Sequence, residues 1–195
     1  MPFTFKPCTI QGLVEIEPKI FGDSRGYFLE TYSEKDFFAA GYTMKFVQDN
    51  QSKSSKGVVR GLHFQKKHPQ GKLVRCLDGL VYDVAVDLRN KSPTFGQFHG
   101  VYLDSEKQNM FYVPPGFAHG FMVLSDTAVF TYKCTEFYHP EDEGSILWND
   151  SSVNIPWHTI APGIAPQLSE KDTKSPAFTK DQTYFSLNGV WEGSL

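Results

Sequence analysis

Residues 80–88, LVYDVAVDL, carry the clearest pattern in the chain. Leu80, Tyr82, Val84, Val86 and Leu88 share one parity, and Val81, Asp83, Ala85 and Asp87 the other. This period of two is that of a β-strand. Similar short runs recur at 13–17 (stopped by Pro18), 27–32 (carrying Glu30), 46–52, 57–65, 72–77, 97–103, 110–113, 117–124 and 128–137. Turn residues separate them: GDSRG at 22–26, HPQG at 68–71, SPTFG at 92–96 and Pro114-Pro115-Gly116. Asp78-Gly79 reads as a hairpin turn. Ser33 as N-cap, Asp36 three residues on and Gly41 as a C′ stop predict one short helix over about 34–40. Many short strands, one helix and no internal repeat predict an all-β jelly roll or related barrel. No domain boundary is visible before about residue 175. The expectation is therefore one domain over 1–175 and a tail over 176–195. That tail holds Phe178, Tyr184, Phe185, Leu187 and Trp191, which predicts packing on the barrel or on a neighbouring subunit.

Composition narrows the function classes. The chain has 195 residues, 40% of them hydrophobic and 21% charged, enough for a substantial core. Seventeen Phe and nine Tyr favour strands. A net charge of −3 with no basic block argues against nucleic acid and anionic membranes as partners. There is no apolar run of membrane-spanning length and no signal-peptide pattern over 1–10. Cys8, Cys76 and Cys134 are odd in number, and the last two sit in strand-like runs as expected of reduced core thiols. The expectation is a cytoplasmic protein.

The candidate chemistry centres on residues 57–65, GVVRGLHFQ. Arg60 and His63 interrupt an apolar strand, where an unpaired charge is costly. In an unbroken strand they face opposite sides. Either Gly61 marks a bulge that re-aims one of them, or Arg60 reaches a ligand from the rim; the pattern leaves both open. A second stretch, Pro114 to Phe121, delivers His119 at the start of a strand and resembles the second motif of cupin barrels. The first cupin motif would need a His-X-His pair, whereas His63 stands alone between Leu62 and Phe64. Two histidines without a third ligand predict no metal. Lys72, Tyr132, the acidic turn at 141–144 and the segment 169–172, a helix start or a charged turn, are each ordinary taken singly. Lys72 reads by default as solvent-facing, Tyr132 as a core tyrosine and the acidic turn as solvated. Together, a base, a phenol, a lysine and arginines in one barrel point to proton transfer beside a carbonyl on an anionic substrate.

The stretches GDSRG (22–26), FVQDN (46–50), RGLHFQ (60–65), GKLVR (71–75) and PGFAHGF (115–121), with 144–150 and SEKD (169–172), resemble the dTDP-4-dehydrorhamnose 3,5-epimerase family of cupins. The likeness runs from about residue 13 to 172; the tail departs from the family pattern. The resemblance implies a cupin-type jelly roll and a homodimer that needs no cofactor and no metal. It implies His63 as proton acceptor with Asp172 as its partner, Tyr132 as proton donor on the opposite face, and Lys72 against the enolate oxygen. It implies substrate binding by Arg25, Glu30, Gln48, Asp49, Asn50, Arg60, His119, Glu143 and Lys171, besides Lys72. Relatives that invert one carbon, a non-catalytic sugar-nucleotide-binding cupin and a metal-dependent cupin are the competing readings.

Overall fold

The computed structural model describes residues 2–193; the ends of the two expected segments, Met1 and 194–195, lie outside it. Two antiparallel sheets face one another. One contains β1 (Phe3–Pro7), β2 (Val14–Pro18), β5 (Gln48–Ser55), β7 (Lys72–Asp78), β10 (Met110–Val113) and β12 (Thr127–Cys134), in the spatial order β1-β2-β10-β7-β12-β5. The other contains β6 (Val59–Gln65), β8 (Leu80–Asp87), β9 (Phe98–Asp104), β11 (Phe117–Val123) and β13 (Glu143–Ser145), ordered β13-β6-β11-β8-β9. A hairpin of β3 (Phe21–Asp23) and β4 (Gly26–Phe28) stands apart from both. The architecture is an all-β jelly roll. Among the described residues no helix is long and apolar enough to cross a membrane.

The core between the sheets is built from Val74, Cys76, Val81, Ala85, Val101, Leu103, Phe111, Phe121, Val123 and Phe130. Two further clusters cover the outer faces. Helix α1 (Glu34–Ala39) lays Phe37 on Val14, Ile16, Leu73 and Met110. Its start is capped as expected, the Asp36 amide donating to the Ser33 hydroxyl at 3.4 Å. On the other side Val84, Val86 and Leu88 meet Trp157 of α2 (Trp157–Ile160) and the C-terminal Phe178, Tyr184 and Phe185. The Phe64 ring sits 5.6 Å from Phe185 and 5.9 Å from Trp191, so the C-terminal aromatics complete an outer core layer. Strand β8 is thereby buried on both faces, and the acids Asp83 and Asp87 are fully enclosed. Asp87 is satisfied locally: Arg89 Nε and Nη2 each donate to it at 2.8 Å, and Ser92 and Thr94 donate as well.

Several expectations need correction. Asp78-Gly79 is not a hairpin, because β7 and β8 belong to different sheets; Gly79, at φ +87°, carries the chain across the barrel. The residue pair permits a tight turn but does not dictate which strands then pair. The strand expected over 27–32 ends at Phe28, leaving Glu30 outside it. Strand β5, expected over 46–52, runs on to Ser55 because β12 pairs along its whole length. The short strands β13, which is polar, and β1, whose Phe3 and Phe5 pack against the cluster under α1, were not expected. The acidic turn is solvated only at Glu141. Asp142 is buried, accepting from the Lys67 and His68 amides at 2.9 and 2.7 Å, and Glu143 pairs along β6.

Candidate active site

Strand β6 positions the site through a defect. His119 of β11 pairs with His63, but two residues on Phe121 pairs with Arg60, three residues back along β6. The extra residue is a β-bulge at Gly61 and Leu62, which turns Arg60 and His63 toward one cavity. The bulge requires glycine: Gly61 has φ +116°, and a Cβ there would meet Gly120 Cα at 2.6 Å and His119 O at 2.7 Å. Between the two readings of Gly61 left open by parity, the structure has the bulge.

The cavity, about 530 Å³, lies between the sheets under α3 (Glu170–Thr173). Arg60, His63, Lys72, His119, Tyr132, Lys171 and Asp172 line it. A second hollow of about 300 Å³ shares His63, Lys72 and Tyr132 and adds Gln48, Asn50 and Glu143. Arg25, Glu30 and Asp49 line neither. Arg25 pairs with Asp23 at 2.6 Å on the exposed hairpin, and Asp49 pairs with Lys133 at 2.9 Å.

His63 Nε2 donates to Asp172 Oδ1 at 2.6 Å, and Glu143 Oε1 stands 3.7 Å from its Nδ1. Segment 169–172 is a helix start: Asp172 is held by the Ser169 hydroxyl, whose Oγ donates to it at 2.7 Å. Burial opposes ionisation of Asp172, yet the hydrogen bonds from His63 and Ser169 hold its carboxyl below the usual range. Burial likewise opposes the charge on Glu143, and Lys171, the His63 ring and the Tyr138 hydroxyl outweigh it. Lys72 opens β7 and turns inward, not to solvent. Burial pushes its ammonium pKa down against the opposing pull of Cys134, Asp83 and Glu143, and its Nζ lies 5.8 Å from the Tyr132 ring centre. Burial raises the Tyr132 phenol above its ordinary value, more than nearby Arg60 lowers it. His119 is spoken for: its Nε2 lies 2.9 Å from both Asp83 carboxylate oxygens.

Asp83 is the main participant that sequence reasoning missed. Its signal was present as an acid on the inward parity of an apolar strand, and its partners, His119 and Lys72, come from other strands. Phe121 and Phe130, stacked at 4.2 Å, give the cavity an apolar wall. Tyr138, beside Glu143, has no sequence signal beyond its residue type.

A family model for dTDP-4-dehydrorhamnose 3,5-epimerase matches residues 7–180. The chain belongs to the dTDP-4-dehydrorhamnose 3,5-epimerase family. The Salmonella typhimurium dTDP-4-dehydrorhamnose 3,5-epimerase is 52% identical over 169 residues, 86% of this chain and 91% of that protein. The crystal structure of the Legionella pneumophila epimerase in complex with dTDP-4-keto-L-rhamnose aligns with TM-score 0.85 at 50% identity, over 90% of this chain and 92% of that one. A 3′-monoepimerase from Streptomyces bikiniensis, in complex with dTDP-quinovose, shares the fold at lower identity: 32%, TM-score 0.81, over 88% of this chain and 86% of that one. In this family member the bulged strand, the paired histidine and the buried lysine occupy one cavity.

Proposed function

We propose that this chain epimerises dTDP-4-dehydro-6-deoxy-D-glucose at C3 and C5 to dTDP-4-dehydro-L-rhamnose, a step of dTDP-L-rhamnose synthesis. The observation that carries the reading is the meeting of the His63–Asp172 pair, Lys72 and Tyr132 in one cavity. Binding a sugar nucleotide needs charge and hydrogen bonds; it does not need a buried acid, a base and an isolated ammonium together.

The chemistry follows from a ketone at C4. Hydrogens at C3 and C5 are both α to it and leave as protons when the resulting enolate is stabilised. Lys72, desolvated by burial, supplies a cation for the developing O4 charge. His63 spends Nε2–H on Asp172, so its Nδ1 lone pair takes the substrate proton. Asp172 and Glu143 on either side of the ring stabilise the imidazolium that forms. Return of a proton from the other face inverts the carbon. Tyr132 serves there, because a phenol whose pKa is raised remains protonated at neutral pH. Arg60 and Lys171 border the cavity and suit a diphosphate, with Gln48, Asn50 and His119 along the substrate's other contacts. No metal or organic cofactor has a step in this scheme.

The catalytic domain spans 1–175 in this reading and 176–195 is its tail, of which the described part, up to 193, lies against it, and the enzyme works in the cytoplasm as a homodimer. The hairpin of β3 and β4 supports the dimer. Phe21, Tyr27 and Phe28 are 49%, 62% and 66% exposed, and such a patch of aromatics fits a partner surface. Arg25 and Glu30, outside their own chain's cavities, then complete the neighbour's site, with Asp49 on the rim. The test is NMR of the 4-keto sugar nucleotide in D₂O with enzyme. Deuterium entering at both C3 and C5 with inversion supports the reading. Exchange at one carbon only makes this a single-centre epimerase, and no exchange leaves a binding protein.

A further inference from the structure

A second convergence of chemically competent side chains lies outside both cavities. Cys8 follows β1 and closes the turn to β2, its amide donating to Leu13 O at 3.0 Å. On β2, Val14 and Ile16 pack under α1 while Leu13 packs between the sheets. Glu15 shares the parity of Leu13 and therefore faces the inter-sheet side. On β9, His99 shares the parity of Val101 and Leu103, which belong to the same core. Cys8 packs against that core as well. One ligand atom from each of Cys8, Glu15 and His99 lies within 4.8 Å of the other two.

Ordinary ion pairing and hydrogen bonding leave this group incomplete. His99 Nε2 is buried without a hydrogen-bond partner and stands 3.6 Å from Glu15 Oε1. Lys6 pairs with Glu15 in the strand register, but its ammonium goes to Glu17 at 2.5 Å. Among the described residues His99 is the sole ion-pair partner of Glu15. The Cys8 sulfur lies 3.9 Å from Lys6 O and beside the Glu15 backbone. A carboxylate, a thiol and an imidazole therefore share a partly buried corner whose neighbouring lysine, Lys6, gives its ammonium to Glu17.

We propose that Cys8, Glu15 and His99 form a binding site for one divalent transition-metal ion of the zinc class. A thiolate, an imidazole and a carboxylate are the donors such an ion takes, and water fills a fourth position. Zinc–ligand bonds of about 2.0–2.3 Å in a tetrahedron place donors about 3.3–3.7 Å apart, which the Glu15–His99 separation already meets. Binding exchanges the Cys8 proton for the metal, so one proton is released for each thiol that ligates. The ion ties the β1–β2 turn to β9 on the facing sheet, a structural role remote from His63 and Lys72.

The test uses the full-length enzyme, stripped with chelator and then dialysed against zinc, or against cobalt(II) as a spectroscopic stand-in. The expected results are one ion per chain, a thiolate-to-cobalt charge-transfer band with tetrahedral d–d bands, and a raised Tm. Cys8→Ser is expected to remove the charge-transfer band, Glu15→Gln to weaken binding at least tenfold, and both to leave epimerase activity unchanged. Absence of stoichiometric binding by the wild-type enzyme overturns the proposal without recourse to variants. So does binding that both substitutions leave intact, which would place the ion elsewhere, for instance at His63 and His119.

Discussion

Replacing Gly61 with Ala tests whether the bulge makes the site. Two costs add. A residue with a Cβ at φ +116° is strained by about 1–3 kcal/mol. The new methyl also meets backbone atoms of Gly120 and His119 at 2.6 and 2.7 Å, so the β6–β11 ladder must shift; overpacking of this kind costs about 1–3 kcal/mol. The sum, about 2–6 kcal/mol, is a large fraction of a typical domain stability of about 5–15 kcal/mol. Gly163→Ala is the control, having φ +74° with nothing within 4 Å of its added Cβ, so it bears the backbone cost alone. Urea denaturation of both variants gives the two free energies. Turnover of Gly61→Ala under folding conditions then reports on His63, whose ring direction the bulge sets, and is expected to fall more than tenfold. If Gly61→Ala is no less stable than Gly163→Ala and turns over normally, the bulge is incidental to the site.

Other outcomes are expected on the same footing. Lys72→Ala should lower turnover by ~10²–10³-fold, the scale of one oxyanion stabiliser, with dTDP binding by calorimetry retained; near-normal turnover would remove its role at O4. Asp142 has its pKa lowered, because the Lys67 and His68 amides and the His68 ring outweigh its burial. A depressed carboxyl stabilises the fold above its unfolded pKa of about 3.9 and loses that contribution as pH falls through the folded value. The urea midpoint should therefore drop as pH falls below about 5, and Asp142→Asn should flatten the drop; an unchanged slope would contradict the assignment. Light scattering at assay concentration should show a dimer, and Tyr27→Asp should weaken both dimer and turnover. A fully active monomer would sink the shared-site reading.

The sequence made the strands of the barrel legible where short apolar runs were bounded by turn residues. Residues 110–113 and 117–124 are cases in point, both strands buried along their whole length, and the structure ends the second one residue early. It hid two short strands: β13 is polar and held by pairing with β6, and β1 offers only Phe3 and Phe5, which pack on Phe37 of α1. Asp78-Gly79 failed as a hairpin because local turn chemistry is silent on partner choice. The site was legible as residue types, with His63, Lys72, Tyr132 and Asp172 in recognisable surroundings. Its geometry was not, since the parity of Arg60 and His63 depends on a register shift against β11. Asp83 was overlooked for a similar reason: its two partners lie 11 and 36 positions away and meet it only across the barrel.

The central claim is that His63 removes the proton and Tyr132 returns one from the opposite face. It is tested most directly by following C3 and C5 of the 4-keto sugar nucleotide by NMR in D₂O, with the His63→Ala and Tyr132→Phe enzymes side by side. His63→Ala is predicted to abolish both exchange and inversion, because no enolate forms. Tyr132→Phe is predicted to admit deuterium while at least one carbon, C5 first, keeps its configuration. Exchange at either carbon in His63→Ala, or inversion of both carbons at the normal rate in Tyr132→Phe, would contradict the account.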